Sequence, residues 1–416
     1  MAENLYFSRD TKLYAAFKDK DGAYKVAYEL PILDGFGFSQ ANNTSEITLA
    51  EMESSTGVSR RGRRLFNDSL APAEWNFSTY VRPFVDGSSN THAVEEVLWA
   101  QMAGADEYST PDFISEKFSN GKVTTSDATD LNISFAQSNR ATLQPMDLYF
   151  VMETSATNPL IYKLEDAAVN EATINFEVDG IAMIEWSGFA KDIKDITADV
   201  TVASSEPVSP TDGDVFLDSA NDLLFHIAEA GTFIEATDDG IDSTTNFIRN
   251  RITSMTLLPA DTTVFPGDGS SGDGSLYNIT LTGGSITITN NLEYLTPETI
   301  GVVNLPIENV TGARTITGTV NCYAVYNDTS NGGTSTDLFN DMKATAALEK
   351  VVNDFGLVIN IGGTAPNTPR LKLNMPKCHL EIPAHTIEDV ISFETNFHAL
   401  GTDISSTNEI DLTYDT

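Results

Sequence analysis

The chain has 416 residues and carries 60 Asp and Glu against 24 Lys and Arg, for a formal net charge of −36. That excess of carboxylates argues against a surface built to grip nucleic acid, because phosphate contacts need concentrated Lys and Arg. It suits a solvated exterior, a salty or Ca²⁺-rich setting, or a surface that repels polyanions. With a hydrophobic content of 41%, this length allows two or more domains, each with its own core.

In chain order the elements read mainly as β. Residues 24–33 form the first predicted strand, and residues 35–43 a glycine-led strand ending in the pair Asn42 and Asn43. Residues 43–69 make a long polar arm holding Arg60, Arg61, Arg63 and Arg64 around Gly62. Connections of that length in compact domains are usually functional or disordered. Over residues 75–81, Trp75, Phe77 and Val81 share one face and Asn76 and Ser78 the other, the period of a half-buried strand. A helix is predicted over residues 92–103, capped by Thr91 and closed by Gly104, with Val94, Val97, Leu98 and Met102 as its apolar stripe. Strands follow at 147–152, 160–164, 172–178 and 181–190.

The texture changes over residues 192–242. Residues 204–214 are rich in Pro, Ser and Asp, and short strands at 215–217, 223–227 and 232–234 suggest a small inserted hairpin unit. It reads as a surface decoration or an interdomain connection.

The second half runs through the same order of elements. Residues 284–291 match 35–43, residues 315–326 take the place of 75–85, and a helix over 337–347, capped by Ser335 or Thr336, takes that of the first helix. Residues 357–361 match 148–152, residues 371–373 match 162–164, and residues 392–399 line up with 184–190. The ordered set predicts two copies of one domain, 1–195 and 246–416, separated by the inserted segment 196–245. Each copy is expected to be a strand-rich β-sandwich or barrel with one flanking α-helix.

The chemistry-bearing candidates are weak. Asp268 and Asp273 in the tip 266–275 lack the full spacing of a Ca²⁺ loop and read as a solvated turn. His379, His385 and His398 fall near Cys378, but adjacent residues of a strand point to opposite faces, so Cys378 and His379 do not converge on a metal. Cys322 and Cys378 have no CxxC spacing and read as small strand residues. No GxSxG, P-loop, GxGxxG or HExxH pattern is present, so neither an enzyme, a cofactor nor a metal is expected. No apolar run reaches the roughly 18 residues of a membrane helix, and no membrane anchor is expected. The four arginines read as a charge contact to another copy of this acidic chain.

Residues 283–298 (GGSITITNNLEYLTPE), 312–323 (GARTITGTVNCY), 382–401 (IPAHTIEDVISFETNFHALG) and 74–84 (EWNFSTYVRPF) resemble the tail tube domain of long-tailed bacteriophages. The resemblance covers about residues 35–191 and 249–401. It implies a β-sandwich whose sheets join between subunits into a continuous barrel, stacked as rings into a hollow tube through which DNA passes without specific binding. Duplication of the domain implies a homotrimeric ring with pseudo-sixfold symmetry. The arm 43–69 and its counterpart 291–311 would stack the rings, with Arg60, Arg61, Arg63 and Arg64 at that contact. The implied partners are copies of the chain and other tail proteins, and the implied place is the virion tail, assembled in the host cytoplasm. A receptor- or carbohydrate-binding tail or capsid decoration protein is the alternative.

Overall fold

A computed structural model of the chain describes residues 5–19, 21–48, 51–52, 59–60, 63–86, 89–104, 123–127, 130–135, 143–153, 158–237, 245–260, 276–299, 303–325, 333–346, 354–365, 368–387 and 389–416. Its first strand, β1 (Thr11–Lys18), precedes anything the sequence pattern predicts and is buried from Leu13 onward. It pairs antiparallel with β2 (Tyr24–Leu30). After β3 (Gly37–Ser39) the polar arm is a β-hairpin. In it β4 (Asn42–Thr48) carries β5 (Glu51–Met52) and β6 (Ser59–Arg60) farther out and returns as β7 (Arg63–Leu70). β8 (Ala73–Tyr80) buries Ala73, Trp75, Phe77 and Thr79 and turns the intervening residues outward.

Next, β9 (Pro83–Val85) pairs with β10 (Thr91–Ala93), and α1 is only Glu96–Ala103. The helix therefore starts later than the sequence suggests, because residues 91–93 satisfy their backbone groups against β9 instead. It is buried on every side, Glu96 and Gln101 included, and ends at Gly104 with φ 83°. The hairpin β11 (Val123–Asp127) and β12 (Asp130–Ser134) leads to β13 (Met146–Met152), the second neighbour of β1.

Where the sequence predicts two strands at 160–164 and 172–178, there is one, β14 (Leu160–Glu177). It bends without breaking. Its pairing slips opposite Met146 and Leu148, where Asp166 sits at φ 49°, and again between Val169 and Glu171. The first part of β14 pairs with β13, and the second with β15 (Met183–Ala190). β16 (Asp192–Asp195) returns to the first part. The inserted unit is β17 (Thr201–Ala203), β18 (Val215–Asp218), β19 (Leu224–Glu229) and β20 (Thr232–Thr237), and β20 joins β2 in parallel.

The second half contains β21 (Ser254–Pro259), β22 (Tyr277–Ile279), β23 (Leu281–Thr289), the hairpin β24 (Leu292–Leu295) and β25 (Glu308–Thr311), then β26 (Thr315–Tyr323). α2 (Ser335–Thr345) starts two residues before the predicted 337, with Thr334 as N-cap in a capping box with Asp337. β27 (Asp354–Ile361), β28 (Arg370–Leu380), β29 (Ala384–Ile387), β30 (Ile391–Ala399) and β31 (Asp411–Asp415) complete the chain.

These strands form two layers. One is an antiparallel wall in the order β3, β8, β15, β14, β23, β26, β30, β29, which crosses from one half of the chain to the other where β14 meets β23. The other holds β2, β1, β13, the start of β14 and β16 in the first half. On the side of the second half it holds β22, β21, β27, β28 and β31, extended by β12 and β11 of the first half through the pairing of β12 with β31. Trp75, Trp99, Trp186, Phe176, Tyr277 and Tyr414 belong to one continuous core. A second core, with Tyr14, Tyr149, Phe225 and Leu217, joins the inserted unit to β1 and β13.

Candidate assembly surfaces

Alternation along the wall strands sends every second side chain into the core and the rest to the opposite face. That opposite face carries Glu74 and Asn76 on β8, Glu185 and Ser187 on β15, and Glu171, Thr173, Asn175 and Glu177 on β14. On the second half it carries Ser285, Thr287 and Thr289 of β23, Thr315, Thr317 and Thr319 of β26, and Glu394, Asn396 and His398 of β30. Rows of these residues touch across the strands. Thr173 and Thr287 hydroxyls are 3.0 Å apart, Asn175 Nδ2 donates to Glu185 at 3.0 Å, and Thr319 Oγ1 donates to Asn396 at 2.9 Å. Apart from the Lys163 end of β14, which lies in the other layer, these strands contain neither Lys nor Arg. The face is hydroxyl and amide with scattered carboxylates. Sequence reasoning left its carboxylates unassigned, although the alternation of Glu74 with Trp75 and of Glu185 with Trp186 carries the signal.

The wall has two ends. Among the described residues β3 pairs only with β8, and β29 only with β30. Unpaired strand edges invite another strand. Both arms carry exposed apolar side chains: Leu65 and Phe66 on the first, and Leu295, Ile307 and Val310 on the second. The base of the first arm meets the connection between β24 and β25 of the second, where Leu70 N–H donates to Asn304 O at 2.9 Å.

The arginine cluster lies on the first arm. Arg63 is exposed, and its Nε is 2.7 Å from Glu46 on the facing strand. Arg60 lies on β6 and Arg64 on β7, while Arg61 falls outside the described residues.

The joint between halves is held by buried polar groups. Arg314, 7% exposed, donates from Nε to Asn290 Oδ1 at 3.2 Å, from Nη1 to Phe135 O at 3.2 Å and from Nη2 to Ala103 O at 3.3 Å. Its guanidinium also lies 4.7 Å from the Phe135 ring centroid. Asn290 Nδ2 donates to Met102 O at 3.0 Å. A cation from the second half thus sits at the negative C-terminal end of α1 in the first.

A second buried network lies under the inserted unit. Asp147, fully buried, takes Lys18 Nζ at 2.7 Å, Lys163 Nζ at 2.9 Å and Tyr24 Oη at 2.5 Å. Burial alone would raise its carboxyl, but Lys163 and Lys18 hold it below the ordinary carboxylate range. Both networks tie strands and helix together through buried side chains, a geometry of structural ties.

Of the remaining candidates, Cys378 is buried while its neighbour His379 is exposed, and both cysteines are free thiols that burial pushes up, Cys322 to about 11. His385 stands against Phe339 and Phe393, at 4.4 and 4.7 Å between ring centroids. Asp268 and Asp273 lie outside the described residues.

A mainly β chain whose sheet crosses both halves and ends, among the described residues, in two strands with one open edge each fits the class of structural assembly subunits. No family model matches the chain. Among curated proteins it is similar to tail tube protein pb6 of Escherichia phage T5, 26% identical over 418 aligned residues that take in 98% of this chain and 75% of that protein. This likeness supports a phage tail tube protein, a structural subunit located in the virion tail. The receptor- or carbohydrate-binding alternative gains nothing from this likeness.

Proposed function

We propose that the chain closes with copies of itself into rings that stack as a hollow tube, and that the polar face of the wall lines the channel through which DNA passes. The observation that carries this reading is the wall itself, a continuous antiparallel sheet spanning both halves, whose end strands each have one edge unpaired among the described residues, with no Lys or Arg on its open face. Scattered carboxylates there (Glu74, Glu171, Glu177, Glu185 and Glu394) would repel phosphate over a Debye length of about 8 Å at physiological salt. Hydroxyl and amide groups would keep the surface wetted without concentrating cations that hold DNA.

The chain reads as two copies of one β-sandwich unit. Supporting this, each half gives four wall strands in the same order, and the β13–β14 and β27–β28 pairs carry the same irregularity, opposite Met146 and Leu148 and opposite Phe355 and Leu357. Two units per chain then make a trimer the ring with pseudo-sixfold symmetry. The inserted unit, 196–245, packs on the layer away from the wall and decorates the outside. The two arms, with Arg60, Arg61, Arg63 and Arg64 on the first, reach the next ring. The role is structural, without catalysis, and the remaining partners are other tail proteins.

Negative-stain electron microscopy of purified protein tests this reading. Rings and hollow tubes with threefold or sixfold end views are expected. A chain that stays monomeric at high concentration overturns it.

A further inference from the structure

Inside each chain the wall crosses from one half to the other where the last wall strand of the first half, β14, meets the first of the second half, β23. There Thr173 lies opposite Thr287, Ile174 opposite Ile286 and Asn175 opposite Ser285. The positions equivalent to these can be read at the two open ends from sheet register alone. The shared irregularity sets Met146 in the role of Phe355, and carrying it across the strands sets Ala190, at the end of β15, in the role of Ala399, at the end of β30. Opposite them lie Ala73 and Ile316. Five residues back along each strand, Glu185 corresponds to Glu394; Thr173 faces the first and Ala384 the second. Likewise Glu74 corresponds to Thr317; Ser39 faces the first and Thr287 the second. Ala384 thus stands where Thr173 stands, and Ser39 where Thr287 stands.

We propose that the joint between neighbouring copies repeats the joint inside the chain. β29 of one copy runs antiparallel beside β3 of the next, with Ala384 opposite Ser39, His385 opposite Phe38 and Thr386 opposite Gly37. The proposal rests on the ring reading and adds to it the strands and the register. A head-to-tail contact of this kind closes into a ring when its rotation closes.

Exposure supports the assignment. Ile174 and Phe176, which the internal joint covers, are 0% and 1% exposed. Their counterparts at the open end are His385, which is exposed, and Ile387, which is 77% exposed. Ile286 is 0% exposed, and its counterpart Phe38 is only half-buried. The open ends therefore expose the side chains that a second copy would cover, and the occupant is the matching strand of that copy. Phe38 and His385 would then meet as an aromatic pair, each already resting on rings of its own chain: Phe150 and Tyr162, and Phe339 and Phe393.

Disulfide trapping tests the register. The hydroxyls of Thr173 and Thr287 approach to 3.0 Å, so thiols at the equivalent positions are within bonding reach once the joint forms. The double variant Ser39→Cys, Ala384→Cys is assembled, checked for rings by electron microscopy, oxidised mildly and run without reductant. The native cysteines are buried and can stay. A covalent band at the mass of three chains that reductant abolishes is expected. The pair Ser39→Cys, Ile382→Cys, two residues out of register and with the second cysteine outside β29 at a half-exposed position, should form rings but no such band. Rings in which the matched pair fails to cross-link, or in which the shifted pair cross-links as well, overturn the register and leave the ring reading standing. Absence of rings from the unaltered chain overturns both.

Discussion

Trp75 lies against Gly188, its partner across β8 and β15, so closely that a Cβ on Gly188 would stand 2.5 Å from the indole and 2.1 Å from the Ala168 carbonyl oxygen. At the matching place in the second half the sizes are exchanged. Gly318 lies on β26 and Phe397 on β30, and a Cβ on Gly318 would stand 2.3 Å from the phenyl ring. One ring fills each site, supplied from opposite strands. Gly188→Ala and Gly318→Ala are each expected to cost about 1–3 kcal/mol through overpacking. Urea unfolding should show lower midpoints for both; an unchanged midpoint would mean that the wall gives way more easily than its packing indicates.

Asp147 is tied to two lysines that are themselves 11% and 17% exposed. Asp147→Asn leaves those cations without their shared anion and is expected to destabilise the fold by about 3–5 kcal/mol at pH 7. Because the folded carboxyl is held low, its contribution is present above the ordinary value of 3.8 and is lost as pH falls below it. The variant should therefore lose less stability on acidification than the parent. Parallel acid titrations followed by circular dichroism would expose the opposite behaviour.

Glu95 has the reverse character. It is 1% exposed, and burial pushes it up to about 7 from an ordinary 4.5. Between those values the folded chain holds a proton that the unfolded chain releases, so stability falls as pH rises through this window and levels off above it. Glu95→Gln removes that loss, worth about 3 kcal/mol at pH 8. The variant's melting temperature should exceed the parent's at pH 8 and approach it at pH 4.5. Equal differences at both values would show that Glu95 does not titrate in this range.

Replacing Arg60, Arg61, Arg63 and Arg64 by Ser should leave the melting temperature nearly unchanged, since surface substitutions usually stay within about 0.5 kcal/mol. Tubes should become shorter, and more so in high salt for the parent than for the variant. Full-length tubes from the variant would confine Arg63 to its pairing with Glu46 within the arm.

Much of the fold is written in period-two patterning. Ile286 and Ile288, and Trp75 and Phe77, mark buried faces because polar residues alternate with them. β1 escaped because Leu13 to Phe17 is an apolar run without alternation, buried on both faces by the wall-side core and the inserted unit. β14 looked like two strands because Glu165, Asp166, Asn170 and Glu171 interrupt its apolar residues. The structure shows a bend there, with a residue at positive φ, in place of a break. Residues 91–93 looked helical because cap and stripe agreed locally, and a short pairing with β9 overrode them. Alternation also says which residues share a face but not which strand lies alongside. The neighbours β14 and β23, and hence the unbroken wall, were out of reach until the pairing was seen.

The tie of Arg314 and Asn290 to the end of α1 has a consequence for how a ring comes together. By the register used for the wall, Asn290 corresponds to Asn42 and Arg314 to Ala71, so the proposed joint between copies would have no equivalent buried cation. The internal joint forms as the chain folds, at the high effective concentration of tethered segments. In the proposed ring only the contacts between separate molecules would remain to be made by diffusion and collision, and these would lack the Arg314 tie. A ring built this way should come apart into intact folded chains well before any chain opens along its own seam.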